Sequence, residues 1–144
     1  MNMYKVEMQS SNLDNCDFRS CDMEGADFRG SSFRNARMNH ANLKDSDFTP
    51  LVFGSALASK KFSPSDFSNA SLSYADFTGA KLKSASFKDA DLTFANFTNA
   101  DLREVDFTGA KIDNVIFDDA QMDDVTMKPD GPIFKMKISD EETS

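Results

Sequence analysis

From Phe67 onward a large apolar residue stands at every fifth position: Phe67, Leu72, Phe77, Leu82, Phe87, Leu92, Phe97, Leu102, Phe107, Ile112, Phe117, Met122 and Met127. Two places before each stands a small one, beginning Ser65, Ala70, Ala75 and ending Ala120, Val125. An earlier series, Met8 through Leu13, Phe18, Met23, Phe28, Phe33, Met38 and Leu43 to Phe48, does the same in a different frame. A period of five fits neither the helical period of about 3.6 nor the strand period of about 2. It requires a coil that turns a corner every five residues. The large residue (the centre of the unit) and the small one then point inward, and the other three point out. The outward positions are polar nearly throughout. The last of each unit is rich in turn formers: Asn15, Gly25, Gly30, Asn35, Asp45, Asn69, Gly79, Asp89, Asn99, Gly109 and Asn114. Gly and Asn tolerate the positive φ of a tight turn.

A second period, of twenty, lies over the first. Phe67, Phe87 and Phe107 are twenty apart, as are Phe77, Phe97 and Phe117, with Leu, Ile or Met centres between them. Four units per coil would place like on like, with Phe on two opposite sides and aliphatic residues on the other two. Stacked rings and backbone ladders between coils would supply the cohesion.

The unit Ala-Asp-Leu/Phe-x-x, as in Ala75-Asp76-Phe77-Thr78-Gly79, Ala90-Asp91-Leu92-Thr93-Phe94 and Ala100-Asp101-Leu102-Arg103-Glu104, resembles the pentapeptide repeat over residues 6–127. The resemblance implies an all-β, right-handed quadrilateral β-helix. About 24 repeats make about six coils, a rod roughly 29 Å long at ~4.8 Å per coil.

The frame slips once. Phe48 and Phe67 are nineteen residues apart, one short of four units. Residues 49–64 are expected either to form a distorted coil that stays in the wall, with Phe53, Leu57 and Phe62 inward, or to project as a loop or short helix. Solenoid ends need caps. Met1, Met3, Tyr4, Val6 and Met8 are expected to cover the first coil, and residues 129–138 the last, within the monomer or by pairing in a homodimer. Residues 139–144 read as a disordered acidic tail. One domain, 1–138, is expected. No run of some 18 apolar residues is present, and the first residues lack the apolar core of a signal peptide. The expected location is the cytoplasm, or outside it by a route that leaves no such mark.

Chemistry is thinly represented. Cys16 and Cys21 occupy the small position of the repeat and read as buried hydrophobes, with a disulfide or metal pair as the alternative. His40, the one histidine, falls at an outward corner beside Arg37 and Asn39, and no second His or Cys pair completes a zinc site. The Asp before the centre (Asp17, Asp22, Asp27, Asp47, Asp66, Asp76, Asp91, Asp101, Asp106) is expected to hydrogen-bond to its own turn. No catalysis, cofactor or metal is expected.

Recognition by surface remains. Residues 1–64 carry eight Lys/Arg and eight Asp/Glu; residues 65–144 carry eight and sixteen. The second half would repel nucleic acid and anionic membranes. Its rod portion, residues 65–129, carries twelve acids and six bases over roughly 16 Å, a charge density of the order of duplex DNA, which has one charge per ~1.7 Å. The side of Phe77, Phe97 and Phe117 is expected to show Asp76, Asp118 and Asp119 with no base, and the adjoining side Asp123 and Asp124. Tyr74 and Phe94 share the corner position one coil apart and are expected to stack outside as an apolar contact point. Arg19, Arg29, Arg34 and Arg37 are expected to pair with Asp14, Asp27 and Glu24.

Family resemblance extends to function. Quinolone-resistance-type pentapeptide proteins are acidic rods that engage type II topoisomerases, which implies a DNA mimic here acting through Asp76, Asp113, Asp118, Asp119, Asp123 and Asp124 on a DNA-binding protein. The rival reading is a scaffold that binds an ordinary protein partner through Tyr74, Phe94 and the 49–64 segment.

Overall fold

The computed structural model describes residues 1–53 and 61–127. Each five-residue unit gives one residue to a parallel single-residue bridge, and within each frame the partner lies twenty residues further on: Asn2 with Asp22, Glu7 with Asp27, and so on to Asp106 with Thr126. Twenty residues are four units, so each unit rests on the unit four later. The chain is an all-β solenoid of bridges rather than long strands, because the corner in every unit ends the ladder after one pair.

The corners explain the spacing. The centre's N–H donates to a carbonyl of the next coil, as Phe67 N to Ser86 O at 2.7 Å, and the small residue's N–H closes a turn back to the centre's carbonyl, as Ala70 N to Phe67 O at 3.0 Å. The residue between, third in the turn, takes positive φ: Asn69 at 61°, Gly79 at 70°, Asn99 at 60°. A type II turn requires that sign at its third position. All eleven turn formers named above have it. The Asp before the centre completes the turn, its Oδ1 accepting the N–H two residues on, as Asp76 from Thr78 at 3.0 Å and Asp106 from Thr108 at 2.9 Å. Asp17, Asp22, Asp27, Asp47, Asp66, Asp91 and Asp101 do the same.

Phenylalanine fills the interior. Phe67 stacks on Phe87 at 4.8 Å and Phe77 on Phe97 at 4.9 Å, and the two stacks meet edge to face, Phe77 against Phe87 at 5.7 Å. Parallel stacking along the axis and T-shaped contact across it are both favoured ring geometries. The alanines at the small position leave room for them; Ala80, Ala85, Ala90, Ala95 and Ala100 are fully buried. Among the described residues the three buried polar side chains, Ser31, Ser46 and Ser65, each donate to a backbone carbonyl, of Met8, Met23 and Phe28.

The frame break is an insertion. Across it the bridges span 34 residues instead of 20, as in Ser32 with Asp66 and Asp47 with Lys81, a surplus of 14. Phe48 and Phe67 therefore sit on neighbouring sides, one unit apart plus the insertion. The segment leaves the wall as an antiparallel hairpin, β1 (Leu51–Phe53) with β2 (Lys61–Ser63), Val52 opposite Phe62. This corrects the expectation of a distorted coil within the wall. The placement of Leu57 and of the Phe53 and Phe62 side chains lies outside the described residues. Across the break one Phe stack changes sides. Phe28 and Phe48 stack at 5.5 Å below it, their column continuing as Leu82, whereas the column of Leu43 continues as Phe77.

The hairpin springs from the corner above Gly30. A Cβ on Gly30, at φ +68°, would lie 3.2 Å from both Leu51 Cδ1 and the Ser63 carbonyl. Gly30→Ala is accordingly expected to cost about 1–2 kcal/mol by thermal melting, since strain at positive φ adds to a backbone contact that cannot swing aside. Gly109→Ala should cost less, because its obstacle is the mobile end of the Asp89 side chain.

The N-terminal residues are not a separate cap. Asn2 and Glu7 already bridge in register, and Met3, Val6 and Met8 hold inward positions against the core. Met1 and Tyr4 are exposed. The expected C-terminal cap, dimer segment and acidic tail, 129–144, lie outside the described residues. Among the described residues no helix is long and apolar enough to cross a membrane. Cys21 is buried and Cys16 half-buried at the small position, both unbridged.

Candidate partner-binding surfaces

Two surfaces stand out from the repeat, one aromatic and one acidic. The aromatic one is larger than its sequence signature. Tyr74 and Phe94 stack at 5.0 Å and 6° between planes, and His40 stacks on the other face of Tyr74 at 4.8 Å and 3°. Three rings thus form a ladder along one corner of the rod. Tyr74 is 51% and Phe94 45% exposed. His40 joins because residues 40 and 74 occupy the same corner once the 14-residue surplus is counted. All three have left-handed backbone, φ 62°, 61° and 62°. A bulky residue there costs of order 1 kcal/mol, and ring stacking offsets about as much.

The acidic surface follows from where bases are absent. In the first coils several acids are engaged: Arg19 holds Asp17 at 2.7 Å, Arg29 holds Asp27 at 2.8 Å, and Arg34 lies between Asp14 at 3.1 Å and Asp66 at 4.0 Å, whereas Glu7 and Asp45 are exposed with no partner among the described residues. Arg103 holds Asp101 at 2.6 Å. Glu24, an expected partner of these arginines, pairs with none of them among the described residues. Asp76 is engaged as well. Its carboxylate accepts from Thr78 N and Oγ1 and lies 3.8 Å from Lys44 Nζ. The side of Phe77 is therefore not free of bases, as the sequence suggested: the insertion brings Lys44 over Thr78, a register that a period of twenty does not show. Asp113, Asp119, Asp123 and Asp124 are exposed and Asp118 is half-buried. Among the described residues none of these five carboxylates has a hydrogen-bond or ion-pair partner, so the structure gathers five of the six expected acids at the C-terminal turns and leaves Asp76 apart.

The engaged acids make the fold sensitive to acid. The hydrogen bond from Arg29 holds the Asp27 carboxyl below its ordinary value despite partial burial, and Arg103 does the same for Asp101. Asp17, bound by Arg19, is lowered to about 2. A lowered folded-state value stabilises at pH above the ordinary carboxylate range, and that stabilisation is lost as pH falls through the lowered values. Melting temperature is expected to be flat from neutral pH to about 5 and to fall between about pH 4 and 2, with Asp27→Asn and Asp101→Asn flattening the drop.

Residues 11–49 match the family description "Pentapeptide repeats (8 copies)" and residues 60–129 match "Pentapeptide repeat region". The chain belongs to the pentapeptide repeat family. The two matches stop on either side of the hairpin's first strand, where the repeat is interrupted. A pentapeptide repeat protein from the thylakoid lumen of Arabidopsis thaliana has a similar structure, with a TM-score of 0.65 at 27% identity over 77% of this chain and 68% of that one. Another, from Nostoc, gives 0.52 at 22% identity over 88% and 84%, a likeness of fold alone. The plasmid-mediated fluoroquinolone resistance protein QnrB1 gives only 0.37 at 17% identity over 84% and 67%, too loose to carry any argument about function. No curated protein matches the chain in sequence.

Proposed function

We propose that the chain is a non-enzymatic protein-binding solenoid, a right-handed quadrilateral coil of about six turns, whose acidic C-terminal turns occupy the DNA-binding surface of a basic protein in the cytoplasm. A type II topoisomerase is one such target. The observation that carries this reading is the gathering of open carboxylates in the C-terminal turns, where five fall between residues 113 and 124, while the other open acids among the described residues, Glu7, Asp45 and Asp89, are scattered along the chain. Asp14, Asp17, Asp27, Asp76 and Asp101 are tied to bases, whereas Asp113, Asp118, Asp119, Asp123 and Asp124 have no partner among the described residues. A rigid wall holding carboxylates at coil spacing presents charge to a basic groove without the chain having to order itself on binding. The test is capture from a nuclease-treated bacterial lysate by the tagged protein, followed by elution with duplex DNA. The reading expects a DNA-binding protein that DNA releases. Capture that DNA leaves undisturbed contradicts it.

A second reading has its own observation, the His40–Tyr74–Phe94 ladder. There the solenoid is a scaffold holding an ordinary protein partner by exposed rings. Binding of that kind survives high salt and is lost in Tyr74→Ser with Phe94→Ser.

A further inference from the structure

The ladder ends at its N-terminal side on an open face. The corner residues Ser20, His40, Tyr74 and Phe94 succeed one another coil by coil, tied by Ser20 N to Asn39 O at 3.0 Å, His40 N to Ser73 O at 3.0 Å and Tyr74 N to Thr93 O at 3.0 Å. Tyr74 is the only ring against His40 among the described residues. The next corner down carries Ser20, whose hydroxymethyl leaves the space of a ring unfilled. A shallow depression of about 500 Å³ lies there, lined by His40, Asn39, Ser20, Arg19 and Asp17, with Met1 and Cys21 also in its lining. That volume is in the range of small-molecule sites.

Its charge differs from that of the rest of the rod. One carboxylate, Asp17, serves two guanidinium groups, Arg19 at 2.7 Å and Arg37 at 3.9 Å. Arg19 and Asp17 line the depression as a two-point ion pair, Nε to Oδ1 at 2.9 Å and Nη2 to Oδ2 at 2.7 Å, and Arg37, outside the lining, leaves the three-residue cluster with one positive charge in a protein of net charge −8. The Asn39 amide is committed to Ser73 Oγ at 2.7 Å. We propose that this depression seats a small planar aromatic anion, its ring stacked on the open face of His40 above Ser20 and its charge beside Arg19. The ligand becomes the fourth rung of a ladder whose spacing, 4.8 and 5.0 Å, the coil already sets. The site lies at the opposite end of the rod from the acidic turns and does not depend on them.

The test is a titration with 2-naphthoate followed by the His40 ring-proton resonances. Cyclohexanecarboxylate serves as the non-planar anion and 2-naphthylmethanol as the planar neutral compound. Saturable upfield shifts of both His40 ring protons with naphthoate, and neither control binding as tightly, is the expected result. Ser20→Phe puts the chain's own ring in the fourth rung, at a corner where Tyr74 and Phe94 are already accommodated, and Arg19→Gln removes the charge. Each is expected to weaken naphthoate about tenfold or more. His40→Ala, followed by naphthoate fluorescence, reads the same loss if Ser20→Phe fails to fold. Undiminished affinity in Ser20→Phe or His40→Ala, equal affinity for either control, or no binding up to about 10 mM would overturn the proposal.

Discussion

Phe67→Ala is expected to lower folding stability by about 3–5 kcal/mol in urea or thermal unfolding. Phe67 is fully buried and belongs to both packing directions of the core. It stacks on Phe33 at 5.1 Å and Phe87 at 4.8 Å along the axis, and touches Phe48 at 5.1 Å and Phe77 at 6.0 Å across it. It is also the first centre after the insertion, so its ring joins the two frames of the repeat. The wall around it is tied coil to coil by backbone hydrogen bonds and cannot collapse into the space left behind. Phe117→Ala, near the C-terminal edge of the described coils, should cost less, because among the described residues its ring stacks on one side only, against Phe97 at 5.7 Å. A loss under about 1 kcal/mol at Phe67 would show that the interior repacks, against the rigid columns described above.

The largest functional effect is expected from reversing charge at the C-terminal turns. Replacing Asp118, Asp119, Asp123 and Asp124 by Lys should weaken binding to a DNA-binding partner by at least about a hundredfold, because close charge pairs at interfaces are worth about 1.5–7 kcal/mol and reversal adds repulsion. The fold should hold. None of the four carboxylates accepts a hydrogen bond among the described residues, and all face outward. Asp119 and Asp124 occupy positive-φ corners at 57° and 60°, and a Lys there is no novelty, since Lys5 sits at φ 54°. Unchanged melting with lost binding is the expected pair of results. Asp76→Lys should do more harm to stability and less to binding, because Asp76 completes its own turn through Thr78 and meets Lys44.

Much of this architecture was legible because the repeat writes the same physics many times. Corner, centre, small residue and turn-capping Asp each recur at fixed spacing, so Asn69, Phe67 and Asp66 announce their roles together. The hairpin was not legible. Leu51, Val52 and Phe53 are apolar like a wall segment, and three-residue strands are too short to show a period of their own. Counting nineteen residues from Phe48 to Phe67 as a shortened coil hid one unit plus fourteen. Everything depending on register across that point was hidden with it: Lys44 beside Asp76, His40 beneath Tyr74, and the shift of a Phe stack from the column of Phe48 to that of Leu43. The same arithmetic, applied to the corner residues, is the signal that would have found His40. At the N-terminus the repeat is masked by Met3, Val6 and Met8, which read as a cap yet keep the five-residue spacing.

The most direct test of the account is the salt dependence of affinity for the captured partner, measured for the wild type and for Tyr74→Ser/Phe94→Ser. The acidic-surface reading predicts affinity falling by orders of magnitude between about 50 and 500 mM salt, equally in both proteins. Affinity that ignores salt and disappears in the double variant would contradict it and place the contact on the aromatic ladder.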